Sequence, residues 1–400
     1  MTMETNLSTE QRNSVLLRMA DLVAGAEREI LQANQMDMQA FDQGDLAMYD
    51  RLKVDGQKVA GMVLSLKQLA EQEDPVGRVL FRFTHDNGLE IANRTAPFGT
   101  VMIIYESRPD VTIEAGGIAF KSGNRILLKG GKESLHSNLA IVSLWHQALQ
   151  ENGISTDWVT YLDFDRKRTQ EYLQNPDDKI DLIIPRGGEK LIEFVRKHAT
   201  CPVVVSGRGN NFVFVHQLAD KEMALRIIRN AKTDKISACN ALDKVLIDNS
   251  LPGLDAFLQD LARELDEAGV ELLLDKGMTA FSGASNIRGE QVWYEEFLDY
   301  RILIGLVSSV EEAVEKVNKY SGGHSASIVT ADAKAAEQFM AAVDSAAVYH
   351  NASTRFTDGF QFGLGGELAI STDKLHQRGP MGLQHLVTNK WYIYGTGQIR

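Results

Sequence analysis

Cysteine is scarce in this chain. Cys201 and Cys239 are the only two in 400 residues, which excludes a disulfide framework and fits a reducing cytosol. Long apolar runs are absent too. No stretch of 18 apolar residues occurs, and Met1–Asn13 is polar with no apolar h-region, so the sequence reads as cytoplasmic, without a signal peptide or a transmembrane span. Basic charge is in deficit: 42 Lys and Arg stand against 54 Asp and Glu, a net charge of −12. That argues against a nucleic-acid or anionic-membrane partner. An anionic substrate would then need a local cluster of Arg and Lys. The nine histidines lack tight spacing to cysteine or carboxylate, so no metal centre is expected, and His324 and His350 read as loop or core residues. There is no internal repeat and no low-complexity tract.

What is present is ordinary globular material: 44% hydrophobic and 24% charged residues, enough for two or three domains. Val15, Leu16, Met19, Leu22, Val23 and Ile30 predict a helix over 8–32. Val59, Met62, Val63, Leu66 and Leu69 predict a second from about 45 to 72, ended by Asp74-Pro75. Residues 81–91 alternate around Asn87-Gly88, a hairpin signal because both turn positions favour positive φ. A two-stranded hairpin is marginal alone. It therefore either pairs with another subunit or lies on its own domain.

From Pro97 onward the pattern becomes α/β. Strands are expected at 101–105, 125–129, 158–162 and 181–185, with helices at 110–121 (Asp110 as N-cap), 133–149 and 166–174. Ligands in such sheets bind outside the carboxyl ends of the strands. Two of those ends carry glycine pairs flanked by bases: Lys129-Gly130-Gly131-Lys132 and Arg186-Gly187-Gly188. Backbone N–H groups and a helix dipole there favour phosphate. Residues 202–215 read as a crossing between domains. A second α/β unit follows, with a helix at 219–231 and strands near 245–247, 270–274, 302–307 and 326–330. The glycine-rich stretch 344–378 is too long for a bare connector and reads as a binding loop. Lys390–Tyr394 reads as an edge strand able to pair outside its own domain.

Cys239 lies on a polar turn before the apolar strand Val245-Leu-Ile247, with Lys235 and Lys244 near in sequence. Cationic neighbours lower a thiol pKa and favour a nucleophile. A small buried hydrophobe is the other reading. Cys201, before Pro202, reads as structural.

Seven segments carry a resemblance. They are Pro97-Phe-Gly-Thr-Val101, Tyr105-Glu-Ser-Arg-Pro109, Lys129-Gly-Gly-Lys-Glu133, Ile184-Pro-Arg-Gly-Gly188, Cys239-Asn240, Gly323-His-Ser-Ala-Ser-Ile328 and Val348–Gly359, the last extended to Gly382. In order and over essentially the whole chain, they resemble the γ-glutamyl phosphate reductases, a branch of the aldehyde dehydrogenase superfamily. The resemblance implies an aldehyde-dehydrogenase-like α/β fold of three parts. A Rossmann-type NADP(H)-binding domain takes 1–80 and 96–206, and an α/β catalytic domain takes 207–380. A small oligomerisation β-element takes 81–95 and 381–400.

It also implies NADPH-dependent reduction of L-glutamyl 5-phosphate through a thioester on Cys239, a step of proline biosynthesis, by a homo-oligomer. Association with glutamate 5-kinase, which makes the labile substrate, is left open. Implied for the cofactor are Lys129, Gly130, Lys132, Arg186, Gly187, Gly188 and Glu296, the last at the position that contacts the nicotinamide ribose. Implied for the substrate are Arg108, Asn351, Ser353, Thr354 and Arg355, because a guanidinium holds carboxylate or phosphate bidentately. Which arginine holds which anion stays open.

Two departures from oxidative relatives stand out. The strand end that carries their water-activating Glu reads Val204-Val-Ser-Gly207 here, with no carboxylate. Where NAD-preferring relatives place a Glu three residues after the cofactor lysine, this chain has Lys132, which suits a 2′-phosphate. The oxyanion-hole Asn of oxidative relatives is missing from Tyr105–Pro109. Alongside the Cys239 N–H, the alternatives are Ser107, Arg108 and Asn240. Two competing readings are a hydrolytic aldehyde dehydrogenase and a non-catalytic dinucleotide-binding protein on the same fold.

Overall fold

The computed structural model describes residues 7–41, 46–279 and 283–400. Backbone packing divides them into two units. The first holds the described residues up to Val205 with Gly363–Ala369 and Met381–Arg400, and the second holds Ser206–Phe362 with Ile370–Pro380. The expected 207–380 domain is thus interrupted at 363–369, and the hairpin and tail pack with the first unit rather than as a third body.

In the first unit a capping box starts α1 (Thr9–Gly25): Ser8 Oγ accepts the Gln11 N–H and Gln11 Oε1 accepts the Ser8 N–H. The single helix expected over 8–32 is two, because the chain turns at Ala26 into α2 (Glu27–Ala40). An apolar stripe could not reveal α2, whose buried positions are Ile30, Asn34 and Asp37. Asn34 Nδ2 donates to Leu52 O at 2.8 Å. Asp37 accepts from His136 N at 3.0 Å, Ser137 N at 2.8 Å and Ser137 Oγ at 2.6 Å. The expected second helix, whose first residue lies outside the described ones, is also divided, into α3 (Leu46–Leu52) and α4 (Gly56–Glu71). Asp55 makes the break by capping α4 on Lys58 N at 2.9 Å.

The hairpin β1 (Val79–Thr84) and β2 (Glu90–Pro97) turns at Gly88, φ 82°. The alternation that follows is β3 (Thr100–Tyr105), α5 (Val111–Lys121), β4 (Arg125–Lys129), α6 (Leu135–Glu151), β5 (Val159–Tyr161), α7 (Arg166–Gln174), β6 (Leu182–Arg186) and α8 (Glu189–His198). Its four strands are parallel in the order β5-β4-β3-β6, which places a topological switch between β3 and β6. Asp110 occupies the N-cap position of α5 but makes no capping bond; it pairs with Arg108 instead, at 2.8 Å.

The second unit is a seven-stranded parallel sheet. Its elements are β7 (Asn211–Val215), α9 (Lys221–Thr233), β8 (Leu242–Asp248), α10 (Leu254–Asp266), β9 (Glu271–Leu274), β10 (Ala284–Asn286), β11 (Arg301–Val307), α11 (Val310–Tyr320), β12 (Ser325–Val329), α12 (Ala333–Ala342) and β13 (Ala347–His350). The order is β10-β9-β11-β8-β7-β12-β13, and both central strands, β8 and β7, are buried along their whole length. The stretch read as one loop, 344–378, contains β13, a 3-10 turn at Thr354–Phe356 and β14 (Ala369–Ser371), which pairs with β15 (Gly379–Met381). Last comes β16 (Val387–Tyr394). It pairs antiparallel with β2 from Val387↔Pro97 to Tyr394↔Glu90, so the hairpin gains its third strand from its own chain.

Asp37 fixes the start of α6, the helix that follows the first glycine turn. Asp37→Ala strips an acceptor from four donors, His136 Nδ1 at 2.8 Å among them, and is expected to lower stability by about 2–3 kcal/mol. Urea unfolding followed by circular dichroism measures this, and an unchanged midpoint would refute it.

Candidate active site

Cys239 sits where α9 has ended and β8 has not begun. Two tight turns carry it: Ala238 N–H donates to Lys235 O at 3.2 Å, and Ala241 N–H to Ala238 O at 2.9 Å. The thiol residue is half-buried. Its carbonyl accepts from Asn211 Nδ2 at 2.8 Å, and the same amide donates to Gly209 O at 2.7 Å and Ala241 O at 2.6 Å. Asn211 is fully buried. A Cβ on Gly209 would overlap the Cys239 carbonyl oxygen and stand 2.7 Å from Glu296 Oε1. Glycine is therefore required there by close approach, with the Cys239 turn on one side and the Glu296 carboxylate on the other. Gly209, Cys239 and Glu296 precede β7, β8 and β11, three adjacent parallel strands, so the site occupies the amino edge of this sheet. Sequence reading placed Cys239 and Glu296 but missed Gly209 and Asn211. The available signal was a pair of asparagines, Asn210 and Asn211, opening an apolar strand.

The 351–357 loop braces the same turn. Asn240 Nδ2 donates to Thr357 O at 2.9 Å and Arg355 O at 3.2 Å, and its Oδ1 accepts from Arg355 Nη1. Thr354 Oγ1 donates to Asn240 O at 2.8 Å, and Ser353 Oγ caps the short turn on Arg355 N. Asn351, at φ 55°, binds the Thr330 backbone through both ends of its amide, at 2.9 and 3.0 Å. The polar groups of Asn351, Ser353 and Thr354, expected to hold substrate, are bonded to backbone. Of the five substrate residues expected, Arg355 alone among the four in this loop keeps a charged head for an anion. Its Nε already pairs with the half-exposed Asp234 at 2.9 Å. Lys244 is not an exposed charge: it is buried, with Nζ on the Glu295 carbonyl at 2.8 Å, while Lys235 is exposed.

In the first unit the carboxyl ends of β3, β4 and β6 converge on acid–base pairs. Glu133 Oε1 accepts from both Ser107 N and Ser107 Oγ at 2.9 Å, with Ser107 at φ 37°. Lys129 Nζ donates to Gly130 O at 2.6 Å, and burial pulls its pKa below the usual lysine value. Lys132 is exposed. Glu106 Oε2 accepts the Gly188 N–H at 2.8 Å, and a Cβ on Gly187 would overlap that carboxylate. The start of α8 is thus answered by a side chain of the chain itself, which removes Gly188 N–H from the expected phosphate donors. Arg108 pairs with Asp110, at the head of a helix whose Glu114 is pushed up to about 7, chiefly by burial and then by Asp110. Burial, with Asp181, raises the Cys201 thiol, in keeping with a structural role. Among the described residues no cluster of His, Cys, Asp or Glu could hold a metal ion, and no helix is long and apolar enough to cross a membrane.

A parallel sheet with switch-point basic turns, and a second sheet presenting a braced thiol, define an oxidoreductase of the aldehyde dehydrogenase type. The aldehyde dehydrogenase family model matches residues 4–286 and 290–391. Curated relatives narrow this further. The γ-glutamyl phosphate reductase of Enterococcus faecalis is 41% identical over 396 residues, 98% of this chain and 94% of that protein. That of Carboxydothermus hydrogenoformans is 42% identical, over 98% and 95%. The crystal structure of the Thermotoga maritima γ-glutamyl phosphate reductase superposes with a TM-score of 0.93 at 39% identity, over 99% of this chain and 96% of that one. The chain belongs to the γ-glutamyl phosphate reductases, within the aldehyde dehydrogenase family.

Asn211→Ala leaves three carbonyls without their shared donor. We expect a stability loss of about 3 kcal/mol and a kcat lower by roughly 100-fold, with cofactor affinity kept. Steady-state kinetics beside a fluorescence titration checks this, and a wild-type kcat would remove Asn211 from the site.

Proposed function

We propose that this chain reduces L-glutamyl 5-phosphate to L-glutamate 5-semialdehyde and phosphate with NADPH, the second step of proline biosynthesis from glutamate. The product cyclises to 1-pyrroline-5-carboxylate. The observation that carries the reading is the half-buried Cys239 thiol on a turn braced from two sides, in a chain of this family.

The Cys239 thiolate attacks the acyl-phosphate carbonyl, the C–O bond to phosphate breaks, and a thioester forms on Sγ. Bound, the reduced nicotinamide supplies the hydride that this carbonyl carbon accepts. The resulting thiohemiacetal releases the aldehyde and returns the thiol. The tetrahedral oxyanion needs placed donors, each contributing about 3 kcal/mol. Asn240 and Ser107 have their side-chain donors engaged elsewhere, so the Cys239 N–H is the first choice. Asn240 then acts by holding the turn. Arg355 and Arg108 are the anion holders, each exchanging part of its present carboxylate pairing for substrate. The missing carboxylate in Val204–Gly207 leaves water without a base, so phosphate is the other partner of the thioester.

The residues present fit a dinucleotide phosphate. Lys129, Gly130 and Lys132 stand at the carboxyl end of β4 and Arg186 at that of β6, beside the switch; Glu133 is turned onto Ser107, so the exposed Lys132 is left to a ribose 2′-phosphate without a competing carboxylate. Gly187 and Gly188 form the turn closed by Glu106. The first unit serves as the cofactor domain and the second as the catalytic domain. Homo-oligomers form through the β1-β2-β16 sheet, where Phe81, Phe83, Trp391 and Ile393 are about half exposed on one face.

The test is the reverse reaction. With 1-pyrroline-5-carboxylate and NADP⁺, NADPH formation should require inorganic phosphate, exceed that with NAD⁺, and vanish in Cys239→Ala while NADPH binding persists. Formation without phosphate would replace this reading with the hydrolytic one. For the assembly, light scattering at micromolar concentration should give at least a dimer, and Trp391→Asp should shift it towards monomer; a monomeric wild type would overturn the assembly proposal.

A further inference from the structure

Two consecutive residues of β8 grip the backbone on either side of Glu296. Asp243 Oδ2 accepts the Phe297 N–H at 3.0 Å, and Lys244 Nζ donates to the Glu295 carbonyl at 2.8 Å. The other Asp243 oxygen pairs with Lys232 Nζ at 3.1 Å, and all three side chains are buried. The Phe297 ring is surrounded by cations: Lys244 Nζ lies 3.6 Å from its centroid, the Arg301 guanidinium 4.6 Å and Lys232 Nζ 5.9 Å. One carboxylate thus pairs with buried Lys232 and acts on buried Lys244 through its charge alone. Apolar side chains of similar volume would suit a central strand at least as well, since burying charge is costly. The cluster needs a purpose other than holding the sheet. The segment it grips carries the Glu296 carboxylate, which lies beside Gly209: a Cβ there would stand 2.7 Å from its Oε1 as well as overlap the Cys239 carbonyl.

We propose that Asp243 and Lys244 are positioning residues that fix Glu296 beside the Cys239 turn and thereby set the fit of the cofactor's nicotinamide end. This rests on Glu296 being the nicotinamide-ribose contact. The β8 strand then carries both the nucleophile turn at its head and, within its first three residues, the clamp for the cofactor carboxylate. The two reacting partners are registered by a single strand.

The clamp is sensitive to pH. Burial lowers the Lys244 pKa to about 7, opposed by Asp243, assisted by Lys232, opposed by Glu295 and assisted by Arg301. Burial also lowers Lys232 and raises Asp243. Below about pH 7 Lys244 is charged and holds both the carbonyl and the ring; above it, the cationic hold is lost. Stability runs the other way. A lysine whose folded pKa lies below its unfolded value makes the fold more stable as pH rises from about 7 towards the unfolded pKa. A residue with only a structural role would not separate these two trends.

The experiment measures NADPH dissociation constants by fluorescence, kcat, and thermal unfolding of the free protein between pH 6 and 9. Wild type, Lys244→Arg, Lys244→Met, Glu296→Gln and the Glu296→Gln/Lys244→Met double variant are compared. Wild type should bind NADPH several-fold more weakly as pH passes about 7, while its unfolding temperature rises. Lys244→Arg, charged throughout, should keep tight binding without the step. Lys244→Met should weaken binding about tenfold at pH 6.5, and the double variant should be no worse than Glu296→Gln alone. Wild-type binding in Lys244→Met, or full additivity in the double variant, would overturn the proposal. If Lys244→Met does not fold, the wild-type and Lys244→Arg profiles decide, and identical profiles would overturn it. Unaltered NADPH binding in Glu296→Gln would instead sink the ribose reading and this inference with it.

Discussion

A single buried carboxamide ties the catalytic turn together. Asn211 Nδ2 donates to Gly209 O, Cys239 O and Ala241 O, so the start of β7, the nucleophile and the start of β8 share one donor group. Buried carbonyls must find partners. Here three of them find the same one, which leaves little freedom in how the turn is drawn. The absence of a side chain on Gly209 is part of the same constraint, because any Cβ would push the Cys239 carbonyl off its partner. The loop at 351–357 completes the brace from the opposite direction through Asn240 and Thr354. The thiol owes its placement to polar side chains whose partners here are backbone carbonyls.

That explains which parts of the site were legible in the sequence. Cys239, Lys129, Lys132 and Arg355 stood out in the sequence partly because charge or nucleophilicity is a property of the residue itself, and Glu296 through the family resemblance alone. Asn351, Ser353 and Thr354 were expected on the substrate and Asn240 in catalysis, and all four bond groups of their own chain here; the sequence could not show this, because a polar loop residue looks the same whether it faces a ligand or a carbonyl. The start of α8 was misjudged for a related reason. A glycine pair after a strand implies available N–H groups, and only the fold shows that Glu106, distant in sequence, has reached one of them. The fold itself was largely readable. Strands of the parallel sheets follow continuous apolar runs, and errors gathered where burial is polar, as on α2, or where one Asp starts a new helix, as at Asp55.

The two sheets also use opposite edges. In the first unit, the cationic turns lie at the carboxyl ends beside the β3/β6 switch, where open parallel sheets usually bind ligands. In the second, Gly209, Cys239 and Glu296 lie before their strands, at the amino edge. The rule about strand ends therefore finds the glycine turns proposed for the cofactor and would have passed over the proposed nucleophile, which was singled out by its thiol chemistry and the family resemblance.

The pairing of β16 with β2 has a consequence for how the molecule is made. The hairpin is made well before its third strand, which lies far along the chain from it. During translation β2 presents an open edge until Val387–Tyr394 has left the ribosome. Residues 363–369, which also pack in the first unit, arrive almost as late. Long-range strand pairing is slow, and unpaired edges invite wrong partners. A chain lacking β16 would carry both parallel sheets and one exposed, adhesive ribbon, so this eight-residue strand decides whether that edge is closed.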